Sequence, residues 1–108
     1  MAIELQTEVP PLNRDATGAL RIGQSRVLLE LVIRAFEDGA TPEAIYQRYP
    51  TAELANIYAA ITYYLRHHDD VMGYLAEREQ QAQQVQQRIE ARQGDLAELR
   101  NRLLARQM

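Results

Sequence analysis

Hydrophobic and polar positions follow different periods along the chain. At the start, Ile3, Leu5, Thr7 and Val9 alternate with Glu4, Gln6 and Glu8, the two-residue period of a strand, and Pro10-Pro11 closes it. Asp15 to Gly18 then has the composition of a tight turn, with Gly18 free to take positive φ. Short apolar stretches on either side of that turn predict a small hairpin, and Ser25 is a candidate cap for the helix that follows.

From Val27 the period lengthens to that of a helix. Leu28, Leu31, Val32, Ala35 and Phe36 share one face of a helix from Val27 to Asp38, which Gly39 stops. Thr41-Pro42-Glu43 restarts a short helix, with Thr41 as cap and Pro42 at its first position, and Pro50 ends it near Tyr49. Thr51 is the expected cap of a third helix, with Leu54, Ile57, Tyr58, Ile61 and Leu65 as its apolar face. Three helices joined by two tight turns between residues 27 and 67 are the layout of a helix-turn-helix head. His67-His68-Asp69-Asp70 forms a junction where Asp69 or Asp70 caps the next helix and suits its positive N-terminal dipole.

The last third carries a third pattern. Alternating steps of four and three pick out Val71, Leu75, Arg78, Ala82, Val85, Ile89, Arg92, Leu96, Leu99 and Leu103, a 3.5-residue repeat that marks the seam of a coiled coil or of a helix packed along a partner. Glutamines off the seam, among them Gln80, Gln83, Gln84 and Gln87, keep the outer face helical and hydrated. A helix from Asp70 to Gln93 alone spans about 36 Å, longer than so small a head can cover, so part of the stripe is expected to meet another chain. Gly94 costs about 1 kcal/mol inside a helix, and Asp95 with Glu98 resembles a capping-box restart. The tail therefore reads equally as one helix or as two hinged at Gly94.

The expected fold is mainly α, with a small N-terminal β-hairpin, a three-helix homeodomain-like head and a long C-terminal amphipathic helix. The chain divides into an N-terminal strand and hairpin (1–26), the helix-turn-helix head (27–68) and the interaction helix (69–108), with a candidate break at Gly94. Val71, Leu75, Val85, Ile89, Leu96, Leu99 and Leu103 are the candidate partner or oligomer interface.

Composition narrows the function. The 108 residues carry a formal net charge of −3, and all 12 basic residues are Arg. A nucleic-acid binder usually has a basic bias, so any DNA contact here needs a local patch. In a helix-turn-helix pair the N-terminus of the second helix enters the major groove. That position offers Thr51 and Asn56 beside an unfavourable Glu53, and Arg21 and Arg26 on the hairpin are candidate backbone contacts. There is no Cys, which excludes disulfides and thiolate chemistry and fits a reducing compartment. No basic start followed by an apolar run opens the sequence, and no apolar stretch approaches the ~20 residues that span a bilayer. A cytoplasmic protein without membrane association is the expectation.

Candidate chemistry is sparse. Ser25 is the single Ser, and the two His residues are adjacent, so they point to different sides of a helix. No HExxH, phosphate loop or second His pair supports a metal or cofactor. The Tyr cluster (Tyr46, Tyr49, Tyr58, Tyr63, Tyr64) suits packing better than base stacking. No enzyme, catalytic residue, metal site or cofactor is expected.

The stretch from Leu20 to Tyr74 carries a resemblance. Arg21-Ile22-Gly23-Gln24-Ser25-Arg26-Val27, then Gly39-Ala40-Thr41-Pro42-Glu43-Ala44-Ile45, Tyr49-Pro50-Thr51, Ile57-Tyr58-Ala59-Ala60-Ile61 and Tyr63-Tyr64-Leu65 resemble the bacterial family catalogued as number 433 among the domains of unknown function. The family usually shows Arg-Ile-x-Gly-Thr-Arg; here Gly23 sits one place early and Ser25 replaces Thr. The resemblance implies a winged or homeodomain-like three-helix fold. It also implies an antitoxin of a toxin-antitoxin system, commonly encoded beside a PIN-like ribonuclease toxin, with a tail that holds the toxin and a head that binds promoter DNA or dimerises. It supplies no catalytic residues. The alternative expectation is a homo-oligomeric structural or adaptor protein with no DNA binding.

Overall fold

A computed structural model describes residues 2–106. The elements are β1 (Leu12–Arg14), β2 (Leu20–Ile22), α1 (Leu29–Glu37), α2 (Pro42–Arg48), α3 (Leu54–Arg66) and α4 (His68–Arg106). The fold is mainly helical, with an N-terminal antiparallel hairpin and a long C-terminal helix. Contacts divide the chain into two units, 1–72 and 73–108.

β1 and β2 pair antiparallel, Leu12 opposite Ile22 and Arg14 opposite Leu20. Asp15 builds the turn between them: its Oδ1 accepts the Thr17 N–H (2.8 Å), the Thr17 hydroxyl (2.6 Å) and the Ala19 N–H (3.1 Å). Its Oδ2 accepts Arg21 Nε–H at 2.8 Å, and Gly18 takes a φ of 87° that other residues rarely adopt. The alternating residues 2–9 form no strand. Ile3, Leu5 and Val9 are exposed. The cause lies across the hairpin, where β2 ends at Ile22 and the chain turns away at Gly23, φ 55°. After a last bond from the Gly23 N–H to the Pro11 carbonyl at 2.7 Å, no strand is left to pair with residues 2–10. The prolines bring no N–H donor, and the Leu12 N–H turns back to the Pro10 carbonyl at 2.8 Å.

Ser25 does not cap α1. Its hydroxyl donates to the Ile22 carbonyl and accepts the Val27 N–H, while Arg21 and Leu28 form a further antiparallel bridge. Val27 and Leu28 are therefore held beside β2, and the helix starts at Leu29. Its buried face is Leu29, Val32, Ile33 and Ala35, with Glu30 beside them. Leu28, Leu31 and Phe36 are half-buried, so the true face is turned from the expected one by about one residue.

α2 follows its sequence signals. Thr41 Oγ1 accepts the Ala44 N–H at 3.2 Å, and Pro42 occupies the first helical position. Thr51 does not cap α3: it is exposed, the Ala52 N–H turns back to the Tyr49 carbonyl, and Glu53 takes the cap position without a side-chain hydrogen bond. α3 buries Ile57, Ala60, Ile61 and Tyr64, while Tyr58 and Leu65 point outward. The core is formed by Ile22, Leu29, Val32, Ile33, Ile45 and Ile57.

His67 alone separates α3 from α4. Asp69 and Asp70 lie inside the first turn of α4 rather than capping it, a placement its N-terminal dipole still favours. α4 runs unbroken through Gly94. Asp95 and Glu98 do not restart it; Glu98 instead pairs with Arg102 one turn on, at 3.1 Å. Among the described residues, no helix is long and apolar enough to cross a membrane.

Candidate interaction surfaces

Most exposed apolar side chains of the tail follow one line, with Leu104 beside it. Val85, Ile89, Leu96, Leu99 and Leu103 each keep 51–59% of their surface in water. Leu75 is half-buried. Val71 differs from the rest: it is 3% exposed, a core residue of the first unit. The line open to a partner thus starts at Leu75, and Val71 is closed to one. Arg78 and Arg92 lie on the same line, and the Arg78 guanidinium donates to Gln81 Oε1 at 3.1 Å. Further along the tail, Gln86 donates to Glu90 at 3.2 Å and Arg102 to Glu98 at 3.1 Å, each one turn away.

The head offers a recess between the hairpin corner and the N-terminus of α3. Asn13, Gly23, Arg26, Thr51, Glu53 and Asn56 line it. Three of the four candidate DNA residues, Arg26, Thr51 and Asn56, therefore come together. Arg21 does not: its Nε–H is bound to Asp15, and its terminal N–H donates to the Arg26 carbonyl at 2.7 Å. The corner is tight. A side chain at Gly23 would place its Cβ 2.7 Å from Asn56 Nδ2, and Asn13 Nδ2–H donates to the Gly23 carbonyl at 2.6 Å. Gly23 thus lets the hairpin corner pack close against α3. A second, open groove follows the outer face of α3, where Ala55, Ala59, Thr62 and Arg66 face residues 8–11.

The tyrosines tie helices together. Tyr58 OH donates to Glu43 and Tyr64 OH to Glu37. The Tyr58 hydrogen bond holds the Glu43 carboxyl below its ordinary range, and the Glu37 hydrogen bond pushes the Tyr64 hydroxyl up. The Phe36 and Tyr64 rings meet edge to face at 6.3 Å, and the Tyr63 and His67 rings stack at 4.2 Å. Among the described residues, no group of three or more His, Asp or Glu side chains is placed to hold a metal.

Asp15 is the residue that sequence reading undervalued. It was legible only as a turn former, although an Asp side chain at the start of a turn commonly accepts from the backbone N–H two residues on.

Residues 15–64 match the family described as Protein of unknown function (DUF433). The match runs from the Asp15 turn to Tyr64 and ends before α4. No curated protein and no solved structure shows significant similarity to the chain.

Proposed function

We propose that this protein is a non-enzymatic, antitoxin-like regulator whose helical tail holds another polypeptide, a PIN-like toxin. The observation that carries the reading is the exposed row from Val85 to Leu103 on an unbroken helix. Burying one Leu or Ile fully is worth roughly 1.5–3 kcal/mol. Five such side chains, half of each still in water, hold several kcal/mol in reserve for a binding partner, less the cost of ordering the complex. The identity of the toxin rests on the family resemblance of the head.

Co-expression with the product of the adjacent gene, followed by size-exclusion chromatography, tests the reading. The two chains should co-elute, and Leu96→Asp with Leu99→Asp should separate them. Elution of the wild-type chain alone would remove the toxin from the reading. For the head, Arg26, Thr51 and Asn56 in one recess support contact with promoter DNA, while Glu53 opposes it. A gel shift that weakens steeply with salt is the expected signature.

The charge order along the tail favours a second reading, a homo-oligomeric adaptor whose tail pairs with another copy of itself and whose head binds no DNA.

A further inference from the structure

We infer that the tails of two copies pair antiparallel, in one register centred between Glu90 and Ala91. The inference rests on the reading of the tail stripe as the binding surface, and adds what occupies it and in which direction.

The argument starts from the order of side chains on the seam. One set of seam positions holds Leu75, Ala82, Ile89, Leu96 and Leu103. The other set holds Arg78, Val85, Arg92, Leu99 and Arg106, so an arginine returns at every second place. In a parallel coiled-coil pair each seam residue faces its own copy. Arg78, Arg92 and Arg106 would then meet three like charges inside the interface, a costly arrangement.

Antiparallel pairing sets the first set against the second. With the centre at Glu90/Ala91, Leu75 faces Arg106, Ala82 faces Leu99, Ile89 faces Arg92, Leu96 faces Val85 and Leu103 faces Arg78. Every arginine stem then packs on a Leu or Ile, and its head reaches the edge of the seam. The smallest seam residue, Ala82, lies opposite Leu99.

The flanking charges agree with this register. Glu79 comes beside Arg100 of the other copy, and Arg88 beside Asp95 of the other copy, each pair occurring twice by symmetry. Gln81 meets Arg102, and Gln86 meets Gln93, so no like charges oppose each other. Sliding by one heptad in one direction sets Arg88 against Arg88. Sliding in the other sets Asp95 against Asp95 and Arg88 against Arg102. The parallel pair keeps a single kind of attractive flank, Asp95 with Arg100. Charge complementarity therefore selects one orientation and one register. A toxin bound on the same stripe has to displace the second copy.

Direction is read with a nitroxide attached at Gln80→Cys, an outward position in a chain that has no other Cys. Antiparallel pairing separates the two labels by about 30 Å along the axis and roughly 37 Å in all; parallel pairing leaves them about 20 Å apart. Pulsed electron–electron resonance should give the longer distance, and the shorter one would overturn the proposal. Register is read by charge exchange and analytical ultracentrifugation of the full chain. Glu79→Arg and Arg100→Glu should each weaken the dimer about tenfold, and the double exchange should return it to within about threefold of wild type. Failure of the double exchange to recover, with the head's tyrosine signal intact, would overturn the register. A wild-type chain that stays monomeric at 100 μM would overturn the pairing. If such a monomer still co-elutes with the toxin, the tail as a binding surface stands without the self-pair. Loss of both removes the surface itself.

Discussion

The head and the tail answer the same demand, removal of apolar surface from water, in opposite ways. The head closes on itself: Ile22, Ile33, Ile45 and Ile57 come from four different elements and are fully buried together. Its polar contacts also reach far along the chain, Tyr64 to Glu37 and Tyr58 to Glu43. The tail's contacts Arg78 to Gln81, Gln86 to Glu90 and Arg102 to Glu98 each span one helical turn, and Ile89, Leu96, Leu99, Leu103 and Leu104 stay about half in water. A head of this kind specifies its own structure. The tail specifies a spacing of apolar side chains along one side of a helix.

The largest effect that separates the two regions is truncation of an apolar side chain. Ile57→Ala removes a fully buried side chain from α3 and should cost the head about 2–5 kcal/mol in urea unfolding followed by tyrosine fluorescence. Leu96→Ala removes a side chain that is 59% exposed. On the dilute monomer its cost should stay within about 0.5 kcal/mol. At high concentration it should lower the dimer fraction. A large loss for the dilute Leu96→Ala chain would break the contrast.

The next effect concerns glycine. At Gly23 the backbone has φ 55° and Asn56 Nδ2 lies 2.7 Å from the place of a Cβ. Gly23→Ala should cost roughly 1–3 kcal/mol, and adding Asn56→Ala should recover the part due to the clash while leaving the part due to φ. At Gly94 nothing lies within 4 Å of a Cβ, and the backbone is helical. Gly94→Ala should instead stabilise the tail by about 1 kcal/mol, seen as a higher helix melting temperature by circular dichroism. The same substitution thus changes sign between the two units.

Legibility in the sequence follows the same division. The tail helix is legible from periodicity alone, because its apolar and polar positions repeat at one helical spacing along its length. The α2 start was legible too, since Thr41 and Pro42 act through their own backbone. So were the stop of α1 at Gly39 and the end of α2 at Tyr49; the starts of α1 and α3 were not. Ser25 and Thr51 have the composition of caps, but Ser25 is used by the bend between Ile22 and Val27, and Thr51 precedes a further turn at Ala52. The strand pattern of residues 2–9 failed because strand pairing needs a neighbour, and β2 ends at Ile22. At the surface, the sequence grouped Arg21 with Arg26, Thr51 and Asn56. The hairpin engages Arg21 with Asp15, a contact that depends on the register of two strands. Val71 was placed on the tail seam by its spacing, although packing assigns it to the head's core.

The smallest effect expected is one of pH, and it belongs to the head. The Asp15 carboxyl is held well below the usual carboxylate range, chiefly by the Thr17 hydroxyl, with Arg21 and two backbone N–H groups adding to it and burial opposing. Its folded pKa lies below its unfolded value. Its contribution to stability is therefore complete above the ordinary value of 3.8 and is lost as pH falls through the folded one. Between about pH 5 and pH 2 the head's melting temperature should fall more for wild type than for Asp15→Asn. The two curves should approach each other at the acid end, because a protonated Asp15 accepts hydrogen bonds much as an amide does. Parallel curves would show that the turn draws nothing from the charge. Tyrosine fluorescence is the suitable probe: five of the six tyrosines lie in residues 46–64, and Tyr74 alone lies in the tail unit. A shift in that signal without a matching change in tail helix content would locate the acid-sensitive element in the head.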